Sequence, residues 1–205
     1  MPFIYDNLIA TLIGMTVVLI LSSIQMAAMQ NNTSRTSRNI VNTQAQQLAN
    51  WLEEDLSRIG QNMSPDAVPY GEPMGPGGSD PDWSADWHTT EFSFEYKNDK
   101  GDRIEVKYKL VETSETAVIE GQDDVTLARL ERFEGLSGKP KSLEGEAANL
   151  GYFKIDLLDE QREPGATGDD AELVRARFSV LAPFQSENTI PRRARRAVVV
   201  PLNSD

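Results

Sequence analysis

An uncharged apolar segment of membrane length lies near the start of this chain and restricts how the chain can fold. From Leu8 to Met29 no residue is charged, and Leu, Ile, Val, Ala and Met dominate. About 20 such residues in a helix cross a hydrocarbon layer of about 30 Å. The segment is hydrophobic on every side, so it requires lipid, a protein core or copies of itself around it.

We consider a discarded signal peptide first, because it is the simplest reason for such a segment. A signal peptide has a basic front, a shorter apolar run and a small-residue cleavage site. The front here, "MPFIYDN", contains no Lys or Arg and carries Asp6. These features favour a retained segment, either a plain membrane anchor or the stem of a filament subunit.

The apolar segment continues into a one-sided pattern that predicts the same helix. Apolar residues recur at spacings of three and four, as on one face of an amphipathic helix. They are Val41, Ala45, Leu48, Leu52, Leu56 and Ile59. Gly60 stands where a C-terminal cap belongs, and Pro65 blocks continuation. We predict one long helix with a hydrophobic stem over residues 1–30 and an amphipathic continuation over 31–63.

Residues 64–88 are rich in Pro, Gly and Asp and predict a long loop. Trp83 and Trp87 could anchor this loop against the rest of the chain or contact a neighbouring subunit. Asp80, Asp82 and Asp86 do not have the spacing of an EF-hand, so we predict no metal site. The loop is expected to cover a surface or to make partner contacts.

Residues 89–205 alternate apolar and polar side chains, which predicts a β-rich head domain. Phe92, Phe94 and Tyr96 share one strand face, and "NDKG" (98–101) predicts the turn to a second strand over 103–110. Further strands are predicted over 125–133, 152–159, 172–184 and 195–203, with polar connections over 134–149 and 160–172. The fold class is α+β: a long N-terminal helix packed on a mainly antiparallel sheet.

Composition excludes several function classes. The chain has 32 acidic and 20 basic residues and a net charge of −12, which argues against nucleic-acid binding despite "RRARR" at 192–196. It has no Cys and one His, His88, so thiolate chemistry is excluded and a His-based site is disfavoured. The acidic runs at 53–55, 123–124 and 169–170 are interpreted as solvated surfaces. No catalytic motif is present, and we predict no catalytic residue, no cofactor and no enzyme activity.

The order of these segments resembles the type IV pilin and type II secretion pseudopilin superfamily. The matching features are the apolar helix with one acidic residue near its start, "LANWLEEDLSRIGQNM" at its end, and the β-rich domain that follows. The helix end and the strands "LARLERF" and "VRARFSVLAPF" are similar to those of the larger J- or W-type minor subunits. The sequence departs from the family pattern, which has a leader ending in Gly, then Phe, with Glu at the fifth mature position: here Pro2 precedes Phe3, and the acidic residue is Asp6.

The resemblance implies a structural subunit of a pilus-like filament or pseudopilus. It implies that the stem leaves the inner membrane with the help of assembly machinery and packs against copies of itself or related subunits, in an extracellular or periplasmic filament. The stem residues expected to make these contacts are Phe3, Asp6, Leu8, Leu12, Val17 and Leu21. Leu48, Leu52, Leu56 and Ile59 are expected to pack the helix onto the head. Two interpretations of Asp6 stay open: it could pair with the α-amino group of a neighbouring chain, or it could lie hydrated in the headgroup region of the membrane.

Two other functions stay open at this point. A membrane-anchored β-rich binding domain would keep the apolar segment in the membrane and would not polymerise. An anchored enzyme would need catalytic residues that are distant in sequence. The three hypotheses differ in what surrounds the apolar segment and in whether the chain polymerises.

Overall fold

A computed structural model of the chain describes residues 2–64, 67–76, 88–117, 125–166, 170–182 and 193–202, with side chains from residue 7 onward. The chain divides into two compact units, Met1–Ile40 and Val41–Asp205. The division falls within the long helix, so that its last turns belong to the second unit.

Helix α1 spans Pro2–Leu56 and is continuous through Gly14 and the polar stretch after Met29. Residues 57–62 form turns after the helix, with Ile59 N–H donating to Leu56 C=O at 3.2 Å. Gly60, the predicted C-terminal cap, lies four residues beyond the end of α1 and has a φ of 73°, a conformation that glycine adopts without a Cβ clash. Its N–H donates to Glu95 C=O at 3.0 Å, which ties the end of the helix region to the sheet.

The second unit contains a six-stranded sheet among the described residues. The strands are β1 (Glu91–Lys97), β2 (Arg103–Ala117), β3 (Val125–Leu136), β4 (Ser142–Leu158), β5 (Leu173–Leu181) and β6 (Arg193–Pro201). Their order in the sheet is their order in the chain, and every neighbouring pair is antiparallel. The predicted fold class, a long N-terminal helix with an antiparallel sheet, is confirmed.

The β1–β2 turn follows its predicted chemistry. Gly101 has a φ of 81°, and Asn98 Oδ1 accepts hydrogen bonds from the N–H groups of Lys100 (3.0 Å) and Asp102 (2.9 Å). Phe92 pairs with Tyr108 and Phe94 with Val106 in the hairpin register. These side chains therefore point to one face, and all four are buried.

The core of this unit lies between the last turns of α1 and one face of the sheet. The helix contributes buried residues at the predicted spacings, and the strands contribute alternate residues. The helix residues are Val41, Ala45, Leu48, Ala49, Leu52, Leu56 and Ile59. Examples from the sheet are Phe153, Ile155 and Leu157 of β4 and Val174, Ala176 and Phe178 of β5.

The predicted polar connection over 134–149 is wrong for most of its length. Strand β3 continues to Leu136 and β4 already begins at Ser142. The start of β4 has small residues, such as Gly145 and Ala147, at positions where a strand usually has large apolar ones. Trp51 of α1 fills the space that these small residues leave. A Cβ on Gly145 would lie 3.2 Å from Trp51 Cζ2, so the indole packs against the bare strand backbone. The helix supplies the bulk that the strand sequence lacks.

The predicted loop over 64–88 partly pairs with β1. Gly71 N–H donates to Ser93 C=O at 2.9 Å, and Met74 N–H donates to Glu91 C=O at 2.9 Å. In the other direction, Glu95 N–H donates to Pro69 C=O at 2.6 Å. The loop thus covers the edge of β1 that β2 leaves open. Trp83, Trp87, Asp80, Asp82 and Asp86 lie outside the described residues, and so do the predicted strand ends at 183–184 and 203.

Candidate assembly and membrane surface

The apolar segment Leu8–Met29 is exposed on every side in the isolated chain. Leu8 and Leu12 are each 65% exposed, Val17 is 49% exposed and Leu21 is 54% exposed. No part of its most hydrophobic stretch is buried by the described residues, and its length and composition suffice to cross a membrane. Burial of this surface therefore requires lipid or another molecule.

Hydroxyl groups within the segment already have hydrogen-bond acceptors in the helix. Thr11 Oγ1 donates to Asn7 C=O, Thr16 Oγ1 to Leu12 C=O and Ser23 Oγ to Ile20 C=O, each at 2.8 Å. A donor that is satisfied by its own backbone costs little to transfer out of water. These side chains are thus compatible with hydrocarbon or with tight helix packing.

Phe3 and Asp6 lie on the first turns of α1, and their side chains are outside the described part of the chain. Both interpretations of Asp6, pairing and hydration, stay predictions. A Cβ on Gly14 would meet nothing within 4 Å, so the isolated chain leaves space beside this residue as well.

The other predicted contact residues lie in the core of the second unit. Leu52, Leu56 and Ile59 have no exposed surface, and Leu48 is 3% exposed. They share one cluster with apolar residues of the sheet. The same helix therefore has an exposed apolar half and a buried one.

Sequence reasoning missed a buried ion pair between this helix and the sheet. Asp55 is 3% exposed and Arg132 is 7% exposed. Arg132 Nε donates to Asp55 Oδ2 at 2.6 Å, and Arg132 Nη2 donates to Asp55 Oδ1 at 3.0 Å. The interpretation of residues 53–55 as a solvated run holds for Glu53 and Glu54, which are exposed, but is wrong for Asp55. Asp55 is three residues from Leu52 and four from Ile59, a spacing that places it on the apolar face.

Two tyrosines and a glutamate extend this ion pair. The Tyr108 hydroxyl donates to Asp55 Oδ2 at 2.5 Å, and the Tyr96 hydroxyl donates to Glu134 Oε1 at 3.1 Å. Arg132 Nη2 also contacts Glu134 Oε2 at 2.5 Å. Burial, and then the charge of Asp55, raises the pKa of Tyr108 well above its usual value. The phenol therefore stays a donor, and the buried carboxylate has partners from two strands.

The pKa of Arg132 reflects two opposing causes. Burial lowers it, but the hydrogen bonds and charges of Asp55 and Glu134 raise it more, so the pKa lies above its usual value. The guanidinium is thus permanently charged. This arrangement fixes the last turns of the helix on the sheet.

A cleft of about 380 Å³ lies between α1 and β4 and is lined by Gln44, Gln47, Trp51, Glu146 and neighbouring apolar residues. Gln44 Oε1 is buried there without a hydrogen-bond partner. Nothing in the cleft combines a nucleophile with a base. Within the described residues, no three His, Asp or Glu side chains are grouped to hold a metal ion.

Comparisons with protein-family models, with curated proteins and with solved structures found no match. The long apolar N-terminal helix and the antiparallel sheet are compatible with a pilin-like architecture. The helix could also span a membrane.

Proposed function

We propose that this chain is a structural subunit of a pilus-like filament or pseudopilus, assembled through its N-terminal helix. One observation carries the proposal: α1 has an apolar segment exposed on all sides and, further along, an apolar face that is fully buried in the head. The core between the last turns of α1 and the sheet is complete within one chain. The stem residues Leu8, Leu12, Val17 and Leu21 need a partner from elsewhere.

Lipid supplies that partner before assembly, and other stems supply it afterwards. Because lipid tails are as apolar as the stem, hydrophobicity does not drive the transfer, and packing between helices must hold the product. Assembly machinery would have to extract the stem. The self-satisfied hydroxyls of Thr11, Thr16 and Ser23 allow both surroundings. Before assembly the subunit would lie in the inner membrane, and afterwards in an extracellular or periplasmic filament.

Electron microscopy of filaments sheared from cells, with mass spectrometry of the intact subunit, tests the proposal. We expect filaments that contain this chain. Leu12→Gln places an amide in the stem and should abolish filaments or reduce their number at least about tenfold, because its polar group would be buried without a partner. Leu143→Gln is the matched control, since Leu143 is an exposed leucine of β4.

The main alternative is a membrane-anchored binding domain that does not polymerise. The exposed apolar segment and the cleft beside Trp51 would suit it. It predicts that the wild-type chain stays in the membrane fraction as an unprocessed, non-polymeric protein. That result, in cells that assemble filaments from other subunits, would overturn the filament proposal.

A further inference from the structure

The sheet face turned away from α1 collects positive charge that the sequence scatters over three strands. In β4, Phe153 and Ile155 belong to the core, so Lys154 and Asp156 point to the other face. The register pairs Lys154 with Arg177 and Asp156 with Arg175. On the next strand, β6, Arg195 pairs with Ser179 and Arg193 pairs with Leu181. We call Lys154, Arg175, Arg177, Arg193 and Arg195 the basic face; Lys154 is fully buried within it, so the four arginines carry the charge at its surface.

Asp156 neutralises only part of this charge. It is fully buried and lies 3.0 Å from Arg175 Nε, 3.1 Å from Arg177 Nη2 and 3.8 Å from Lys154 Nζ. No other acidic residue occurs in residues 151–158, 173–181 or 193–201. The basic face thus carries an excess of cations in a chain whose net charge is −12.

Several of these cations remain accessible. The side chains of Arg175 and Arg177 are 26% and 37% exposed, and Arg195 is exposed. Arg193 Nη2 donates to Ser179 Oγ at 3.3 Å, but Arg193 Nε is buried without a hydrogen-bond partner. Burial, and then the charge of Arg195, lowers the pKa of Arg193. An anionic group placed here would gain charge-assisted hydrogen bonds and relieve this repulsion.

A cluster of acidic side chains that could supply such an anionic group lies at one end of the β4–β5 hairpin. The connection between β4 and β5 forms an open cleft of about 540 Å³ lined by Asp159, Glu160, Asp170, Glu172 and neutral residues. We call these four residues the acidic turn. Leu173 begins β5 beside it, whereas Arg195 pairs with Ser179, six residues further along. At about 3.3 Å per residue Arg195 lies about 20 Å from the acidic turn, too far to contact it within one head. Arg175 lies closer, two residues from Leu173, but its Nε donates to Asp156 at 3.0 Å.

We propose that the basic face of one head binds the acidic turn of a second copy of this chain. The two surfaces differ, so the contact is head-to-tail and can repeat from subunit to subunit, as a filament requires. The inference rests on the proposed filament function and names the contact between its heads. Complementary charge would fix the register of neighbouring heads and speed their encounter.

A second copy suits this face better than a nucleic acid does. The phosphate backbone is a long polyanion, and most of the surface of a chain with net charge −12 would repel it. The acidic turn is a compact anionic patch. Every copy of the chain carries an acidic turn, so this binding partner is abundant wherever many copies lie together.

Cysteine cross-linking of the full chain tests the contact, because the natural chain contains no cysteine. Ala197 is an exposed residue of β6 that pairs with Arg177, and Gln161 is an exposed, uncharged residue beside the acidic turn. The double variant Ala197→Cys/Gln161→Cys keeps every charge of both surfaces. In cell membranes or in filaments, mild oxidation should give a ladder of multimers, with mass spectrometry placing the link between positions 161 and 197.

Matched charge changes then show whether the basic face holds the contact. Arg195→Glu should reduce the ladder at least about tenfold, because it sets like charges against each other. Arg196→Glu is the control: Arg196 is exposed and adjacent but pairs with the core residue Phe178, so its side chain starts from the opposite face. Co-expression of Arg195→Glu with Glu160→Lys/Glu172→Lys, each in the double-cysteine background, should restore the ladder.

The outcomes separate this inference from the proposed function. Filaments without a 161–197 link, or a ladder that Arg195→Glu leaves unchanged, would overturn the head-to-tail contact while the filament stands. A charge-dependent ladder without filaments would support the contact and count against the filament. Retention of duplex DNA that Arg195→Glu abolishes, without any 161–197 link, would assign the basic face to nucleic acid and overturn the inference.

Discussion

The two apolar regions of helix α1 have opposite surroundings. Between Leu8 and Met29 apolar residues surround the helix, and their side chains are exposed. From Val41 onward they occupy one face, and the sheet buries it. The comparison shows that apolar content alone does not decide whether a helix joins its own chain's core. A stripe on one face matches one sheet, whereas a continuous apolar surface needs partners all round.

The largest expected effect concerns the ion pair that the buried part of the helix makes with the sheet. Arg132→Met would leave Asp55 buried without its cation and should lower the free energy of unfolding of the head by about 3–5 kcal/mol. Urea unfolding of the full chain in detergent, followed by circular dichroism, measures this. Arg129→Met is the control, because Arg129 is partly exposed and its ion pair with Glu131 should contribute less than about 1 kcal/mol.

Truncation of a leucine to alanine should affect head stability differently in the exposed and the buried parts of α1. Leu52→Ala removes a fully buried side chain and should cost about 2–5 kcal/mol of head stability. Leu12→Ala removes an exposed one and should leave the unfolding midpoint of the head unchanged. Equal losses in the two variants would contradict the division of the helix into an independent stem and a head-bound part.

A charge in the stem tests whether the exposed apolar part of α1 inserts into a membrane. Val17→Asp lies near the middle of the apolar segment and should disfavour membrane insertion by about 2.5–3.5 kcal/mol. The fraction of protein that resists alkaline extraction from membranes is the measurement, and it should fall at least about tenfold. Leu143→Asp, which places the same charge on the exposed part of β4, should leave extraction unchanged.

The smallest effect concerns the Tyr108 hydroxyl. Its pKa is raised in the folded chain, so its contribution to stability is complete below the unfolded value of about 10 and is lost as the pH rises toward the folded value. Tyr108→Phe should cost about 1–2 kcal/mol at pH 7, because Asp55 loses one donor. It should also flatten the loss of stability above pH 10. Urea unfolding at pH 7, 9 and 10.5 tests both, and an unchanged alkaline slope would contradict the role given to Tyr108.

The helix and the first hairpin were predictable because their patterns are local. The spacing from Val41 to Ile59 and the alternation from Phe92 to Tyr108 each place one face in the core without help from distant residues. The first part of β4 could not be predicted in this way. Its residues are mostly polar or small. It becomes a strand because β3 pairs with it and Trp51 covers Gly145.

The candidate surfaces were predictable to different degrees. Leu12 and its stem neighbours were identified from the absence of charge over a membrane-length segment. The buried position of Asp55 could have been inferred from its spacing to Leu52 and Ile59, although its partner Arg132 lies 77 residues further along the chain. The basic face could not be inferred, because only the register of β4, β5 and β6 brings Lys154, Arg177 and Arg195 together.

The segment over residues 67–76 should slow the exchange of backbone amide hydrogens in β1, the first strand of the sheet. A terminal strand normally opens first, and its amides exchange with solvent hydrogen early. Here β1 has hydrogen bonds along both edges, from Tyr108 and its neighbours on one side and from residues 69–74 on the other. The Glu95 amide, which donates to Pro69, should therefore exchange as slowly as amides in the middle of the sheet. The peptide that covers it would control that rate.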